Sequence, residues 1–361
     1  MNNEFTPSIS IIVCAYNEEL LLEKSLNSLI NQYYPKEKYE IVIIDDDSKD
    51  KTAEISKFFV NEYSQSHNIK YKKIKHGGLS VARNKGIIET KFDLIAFIDG
   101  DAIADKNWLK NIVVPFKDKS IGIVGGLVEN LNVESSFAKF IHDLHYKQEI
   151  PNNKYRLSDI IGTNMAYRRD VFKEKGGFYT IFDRRGDEST INKIISQDWK
   201  YSIVPSAIVF HERPTKRDWL KMRYQNGFYG FFSNKVVFQK INHKKVKYNL
   251  YRFPQLLSKV FNLLLIPTLV LCSMLSNYLT CSLFVISLSV FLRRYIYNRV
   301  IINTIRKLRE ENKYKWSKVI YGIFIIIEGY QYSDIGWIAG YIKGFSISSF
   351  NNDLDNKNNI K

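Results

Sequence analysis

The chain has 361 residues, 45% of them hydrophobic and 25% charged, a balance that excludes intrinsic disorder and allows one large domain or one domain with an appendage. Three cysteines, Cys14, Cys272 and Cys281, lack metal-ligand spacing, which excludes a disulfide framework and a zinc site. The formal net charge of +16 invites a nucleic-acid reading, but residues 1–212 carry 29 Lys+Arg against 30 Asp+Glu, so the excess lies elsewhere and no nucleic-acid partner is expected.

In chain order, Met1 to Pro7 shows no basic region followed by an apolar run, so no secretory leader is expected and the first domain is expected in the cytoplasm. Ile9 to Cys14 is a short apolar run that predicts a strand, and Leu20, Leu21, Leu26, Leu29 and Ile30 then follow a helical period. Ile41 to Ile44 predicts a second buried strand, residues 51–63 a helix, and Ile69 to Ile74 a third strand. Gly78 to Glu89 predicts a helix, Leu94 to Ile98 a fourth strand, and Ile121 to Val124 a fifth. This succession implies an α/β fold whose mainly parallel sheet is flanked by helices on both faces.

In such sheets ligands gather where strands end at the carboxyl edge. Three polar groups fall there: Ala15-Tyr16-Asn17-Glu18, Asp45-Asp46-Asp47-Ser48 and Asp99-Gly100-Asp101. Two carboxylates one residue apart repel unless a cation lies between them, so the Asp99/Asp101 pair points to a hard divalent ion with a phosphate-bearing substrate. A carboxylate after the second strand can accept hydrogen bonds from a base N–H or ribose hydroxyls, whereas Ser48 and Asp50 read as caps of the following helix. No G-x-G-x-x-G loop or P-loop is present, which excludes a dinucleotide fingerprint.

The C-terminal third reads differently. Residues 213–259 carry 12 basic residues against 1 acidic, residues 260–292 carry no charge, and residues 293–318 carry 9 against 2. Charge that flanks an apolar run in this way suits a membrane boundary. As one straight helix, 33 residues would reach roughly 50 Å, well over a hydrocarbon core of about 30 Å. A hairpin turning near Asn277-Tyr278, with both ends on the cytoplasmic side, fits better. Residues 319–345 read as an interfacial or re-entrant helix, and residues 215–231, with Trp219, Tyr224, Phe228 and Phe231 among Lys216, Arg217, Lys221 and Arg223, as an amphipathic helix at a bilayer surface. The expected organisation is a catalytic domain over residues 1–232 and a membrane-associated helical region with transmembrane helices over residues 233–361, the whole at the cell membrane.

Cys14-Ala15-Tyr16-Asn17-Glu18, Asp45 to Thr52, Gly78 with Ala82-Arg83-Asn84-Lys85-Gly86, Asp99-Gly100-Asp101, Gly162 to Arg168, Gly176-Gly177-Phe178 and Gly186-Asp187-Glu188 occur in an order that resembles the successive motifs of family-2 inverting glycosyltransferases with the GT-A fold. The resemblance covers roughly residues 8–230. It implies a nucleotide-diphosphate sugar as donor and Mg²⁺ or Mn²⁺ as cofactor. It implies that Asp46 bonds the nucleobase, that Cys14, Ala15, Tyr16 and Glu18 line the donor, and that Arg83 pairs with the diphosphate. Asp99 would contact ribose and metal, Asp101 would be the main metal ligand, and His211 resembles a histidine that completes the metal sphere in some GT-A enzymes.

The acidic pair departs from the family's usual Glu-Asp order. By position Glu188 is expected to be the catalytic base, with Asp187 orienting the acceptor or holding the loop. Arg223-Tyr224-Gln225 does not match the Gln-x-x-Arg-Trp of processive sugar polymerases, which implies one transfer per binding event. The acceptor implied is a lipid-linked sugar or a polyprenyl phosphate. The alternatives are a non-catalytic nucleotide-sugar-binding scaffold of a membrane complex and, within the same fold, a sugar nucleotidyltransferase, which would need a Gly- and Arg-rich loop where Ala15 to Glu18 stands.

Overall fold

A computed structural model describes residues 5–131, 155–182, 187–212 and 214–242, together with 256, 259, 260, 332–335 and 337–339. Strands β1 (Ile9–Ala15), β2 (Tyr39–Asp45) and β4 (Leu94–Asp99) are the near-continuous apolar runs of the sequence, and all but the last residue of β4 is buried. Burial on both faces is what such runs require. Helix α1 (Leu22–Ile30) follows β1, α2 (Thr52–Tyr63) follows β2, and α3 (Leu79–Glu89) follows β3 (Asn68–Lys73). After β4 come β5 (Ala102–Ala104), α4 (Trp108–Ile112), β6 (Ile121–Asn130), β7 (Met165–Arg168), α5 (Arg169–Lys175), α6 (Asp187–Ile195) and β8 (Lys200–His211).

The eight strands form one sheet in the order β3-β2-β1-β4-β7-β6-β8-β5. The half β3-β2-β1-β4 is parallel throughout, as expected. The other half is not: β7 runs antiparallel to both β4 and β6, and β5 runs antiparallel to β8, while β6 and β8 are parallel. The sheet is therefore mixed, with six strands running one way, as a mainly parallel sheet requires, and β7 and β5 running against them. Its second half is built from strands that are short or interrupted. In β8 the pairing with β6 jumps from Val204 to Ile208, so Pro205, which cannot donate to a ladder, sits in a bulge.

Alternate side chains of the central strands enter two separate cores. Ile9, Ile11, Val13 and Ala15 pack with Leu22, Leu26 and Leu29 of α1, Phe59 of α2 and Trp108 of α4. Ile12 and Cys14 pack on the opposite face with Ala82 and Ile87 of α3, Phe172 of α5 and Ile191 of α6. Each large aliphatic residue fully buried there contributes about 1.5–3 kcal/mol. Helix α3 crosses β1 in direct contact, since a methyl group on Gly86 would lie 2.4 Å from Ile12 Cγ2. This closeness puts the polar face of α3 beside the carboxyl edge of the sheet.

By contact the chain divides into one unit of residues 1–213 and 352–361 and a second of residues 214–351. The second unit begins with α7 (Lys216–Asn242), so the expected helix over 215–231 is longer than its pattern, and the expected boundary at 232 falls inside it. Trp219 and Phe231 of α7 are buried, Phe231 with its ring centroid 5.2 Å from that of Trp337. Lys259 meets the buried Asp334 at 2.7 Å. Among the described residues no helix is long and apolar enough to cross a membrane. The expected hairpin lies outside the described residues apart from Val260, and of 319–345 only 332–335 and 337–339 are described, as helix.

Candidate active site

The loops after β1 and β2 are joined by side-chain hydrogen bonds to backbone. The Asn17 amide donates to Ser48 Oγ at 3.0 Å, the Lys49 amide to Asn17 Oδ1 at 2.8 Å, and the Glu18 amide to Thr52 Oγ1 at 2.8 Å. Asp50 takes the Thr52 amide at the start of α2, as a cap would, and also the Glu19 amide from the other loop. Asn17 at φ 57 and Asp47 at φ 65 adopt the left-handed turn that Asn and Asp tolerate best among non-glycine residues. Asp45, which carries no role in the sequence reading, holds the Ser48 amide and the Tyr71 hydroxyl.

Asp46 is 4% exposed and accepts the amides of Gly77 at 2.8 Å and Gly78 at 2.9 Å, one on each carboxylate oxygen. Gly78 sits at φ 86, so the turn into α3 depends on glycine. His76 Nδ1 lies 2.9 Å from Asp46 Oδ2 and 3.1 Å from the Asp46 carbonyl, both acceptors, so Nδ1 carries the proton. The His76 ring stacks on Tyr16, centroids 4.6 Å apart and 29° between planes. Tyr16 and Asp46 are thus brought together as the sequence reading requires, with His76 between them as a residue that reading missed. Only its position two residues before Gly78 gave a signal.

Asp99 ends β4, and Asp101 follows one residue later. Between them Gly100 is tightly packed: a methyl group would lie 3.2 Å from Ala15 Cβ and 3.3 Å from Glu18 Cγ. Antiparallel pairing sets Ala102 of β5 opposite His211 of β8, and this brings His211 Nε2 to 3.1 Å from Asp101 Oδ2. One ligand atom each from Asp99, Asp101 and His211 lies within 4.8 Å of the others. Burial would raise the Asp101 carboxyl, but the His211 imidazole holds it below its ordinary value. His211 in turn is raised against its burial by Asp101 and Asp99. Glu18, half-buried and faced by Asp101 and Asp99, is pushed up to about 8, so it is mostly neutral below that pH. Asp99 and Asp101 therefore carry the negative charge at this point, and two carboxylate oxygens with an imidazole suit Mg²⁺ or Mn²⁺. Thr163, whose motif carried no assigned role, donates its hydroxyl to Asp99 Oδ2 at 2.7 Å.

Cys14 contributes through its backbone: its carbonyl accepts the Gly100 amide at 3.1 Å, while burial drives its thiol to about 12 and leaves it inert. The Ala15 carbonyl accepts the Asp46 amide at 3.0 Å, tying the first two loops together.

Arg83 departs from expectation. It is 2% exposed, and its Nη1 meets Asp187 Oδ2 at 2.7 Å and Glu188 Oε2 at 3.7 Å, while Nη2 lies 3.8 Å from Asp99 Oδ1. The guanidinium expected on the donor diphosphate is held on protein carboxylates instead, and it is no surface helix charge. Asp187 is fully buried, whereas the Glu188 side chain is 24% exposed. Desolvation opposes ionisation of both, but Arg83 brings Asp187 below its ordinary value, and Glu188, half-buried beside the Asp187 anion, is raised. Gly186 lies outside the described residues.

Over residues 10–176 the chain matches the family described as Glycosyl transferase family 2. Residues 10–176 are thus similar to a family-2 glycosyltransferase domain. It is 26% identical over 264 residues to the probable glycosyltransferase YdaM of Bacillus subtilis, covering 70% of this chain and 63% of that one. It is 29% identical over 178 residues to the beta-monoglucosyldiacylglycerol synthase of Trichormus variabilis, covering 48% and 38%. The match spans less than two thirds of either relative's length. The mannosyltransferase PcManGT of Pyrobaculum calidifontis, solved in complex with GDP-Man and Mn²⁺, is similar over 93% of this chain and 88% of that one, with a TM-score of 0.58 at 16% identity, which shows a shared fold. The sheet of this chain therefore has a GT-A-like architecture.

Proposed function

We propose that this glycosyltransferase moves a sugar from a nucleoside-diphosphate donor to a hydroxyl of a lipid-linked acceptor, with inversion at the anomeric carbon, at the cytoplasmic face of the cell membrane. The observation that carries this is one guanidinium: Arg83 lies within 4 Å of Asp99, of Asp187 and of Glu188, which joins the acidic metal cluster to the acidic pair at one sheet edge.

Asp99, Asp101 and His211 would hold Mg²⁺ or Mn²⁺, whose charge offsets that of the leaving diphosphate. Tyr16 and His76 offer a ring surface for the base, and the carboxylate and loop of Asp46 lie beside it. In the transfer the acceptor oxygen forms a bond to the anomeric carbon, the bond from that carbon to the diphosphate oxygen breaks, and the diphosphate leaves with the electron pair. Glu188 takes the acceptor proton; its raised proton affinity brings it closer to the working pH, where a general base is most effective. A base is needed for a hydroxyl and not for an already ionised phosphate, which favours a lipid-linked saccharide over polyprenyl phosphate.

Membrane association is supported by the basic residues Lys216, Arg217, Lys221 and Arg223 and by the uncharged run 260–292 between basic blocks. The test is a screen of UDP- and GDP-sugars for nucleoside diphosphate release by membranes carrying the full chain. Release that needs Mg²⁺ or Mn²⁺ and a lipid extract supports the reading. Nucleotide-sugar binding without release under any condition favours the scaffold alternative.

A further inference from the structure

We propose that Arg83 is a positioning residue for the base: its buried guanidinium fixes Asp187 as an anion and so sets where Glu188 stands and when it gives up its proton. The proposal rests on Glu188 acting as the base.

The geometry leaves Arg83 little other work. Both it and Asp187 are closed to solvent, and their contact at 2.7 Å spans 104 residues of sequence. It lies close against its surroundings: a methyl group on Gly162 would lie 2.2 Å from Arg83 Nη2, and the Phe178 ring lies 5.5 Å from the guanidinium carbon. The same face of α3 also grips the chain leading to the acidic pair. Ser80 Oγ donates to the Phe182 carbonyl at 2.7 Å, Asn84 Nδ2 to the Phe178 carbonyl at 2.8 Å, and the Phe178 amide to Asn84 Oδ1 at 2.7 Å. Positions 80, 83 and 84 lie on one face of a helix by its 3.6-residue period. One face thus locates Phe178, Phe182 and Asp187 together.

Two adjacent carboxylates do not ionise independently, because the first anion opposes the second. A cation placed 2.7 Å from Asp187 and 3.7 Å from Glu188 decides the order: Asp187 ionises first, and Glu188 retains proton affinity. Among the described residues, Arg83 and Asp187 are the charged groups facing Glu188; the Tyr167 phenol from β7 also lies within electrostatic reach and donates to Asn192 Oδ1 at 2.6 Å.

The experiment uses the full chain in membranes, with R83Q, R83K, E188Q and R83Q/E188Q, and the UDP- or GDP-sugar that the wild type turns over fastest. Binding of the matching UDP or GDP with Mn²⁺ should change by less than about threefold in R83Q, while kcat falls by roughly a hundredfold. Removing the cation raises the proton affinity of the pair, so the acid limb of the kcat profile should move about one unit to higher pH. R83K should recover part of the loss, and R83Q/E188Q should be no slower than E188Q alone, as groups acting as a unit require. If R83Q does not fold, G162A, which crowds the guanidinium, should move the same limb in the same direction. Loss of nucleotide binding in R83Q would overturn the proposal in favour of a diphosphate contact. An unmoved pH limb with losses that multiply in the double variant would reduce Arg83 to a structural part. If E188Q keeps its turnover, it is the reading of Glu188 as base that falls; if E188Q loses turnover and R83Q does not, the inference about Arg83 falls alone.

Discussion

The two halves of the sheet solve different problems. In the parallel half, β3-β2-β1-β4, each strand delivers its polar loop directly: Tyr16 follows β1, Asp46 follows β2, and Asp99 ends β4. Neighbouring loops are bonded to each other over about thirty residues, as in Asn17 to Ser48 and Gly77 to Asp46. In the mixed half the site residues arrive by long-range pairing. His211 reaches Asp101 because β5 turns back onto β8, and Asp187 is reached by Arg83 from α3. Tyr16, Asp46 and Asp99 are thus set by the ends of neighbouring strands, whereas His211 and the acidic pair depend on packing between elements far apart in sequence.

If that division holds, substitutions on the two sides should separate in kinetics. The largest effect is expected where the halves meet. Asp101→Ala should lower turnover by at least roughly a hundredfold and remove the divalent-cation dependence of donor binding, read by nucleoside diphosphate release and by titration calorimetry. Glu188→Gln keeps the shape and loses the base, so kcat should fall by roughly a hundredfold with UDP or GDP affinity preserved. A matching loss of affinity would place Glu188 on the donor side. Asp46→Ala releases the Gly77-Gly78 amides and His76 together and should raise the donor dissociation constant by about tenfold with a smaller change in kcat.

The smallest effect concerns stability without metal. Glu18 is a carboxyl whose folded value is raised to about 8, so its neutral form is favoured in the fold. Its contribution is fully present below the ordinary carboxylate pKa and is lost as pH rises from there through about 8. Melting of the metal-free protein should therefore fall between about pH 5 and pH 8. Glu18→Gln should flatten that fall, and Mn²⁺ should oppose it in the wild type. A melting temperature independent of pH over this range would show that Glu18 is not held among the other carboxylates.

What could be read from the sequence follows the same division. β1, β2 and β4 were legible because strands buried on both faces must be continuous apolar runs, and the residues at their ends followed. β5 has three residues and β7 four, too few for any period to show. β8 is broken by Pro205 at its bulge, so only Ile208 to Phe210 stood out. Asp99, Asp101 and His211 were each legible by motif, but their meeting depends on β5 pairing with β8. Arg83 was expected beside the donor diphosphate, and nothing in its neighbourhood in sequence points to its contact with a carboxylate 104 residues away.

The central claim is that the acidic cluster at the end of β4 and the acidic pair at the start of α6 are one active site with two duties. Measuring UDP or GDP binding with and without Mn²⁺ alongside single-turnover rates, for wild type, Asp101→Ala and Glu188→Gln, tests it most directly. The account predicts that Asp101→Ala loses metal-dependent binding, and that Glu188→Gln binds as the wild type does yet fails to turn over. Metal-independent binding in the wild type, or full turnover by Glu188→Gln, would contradict it.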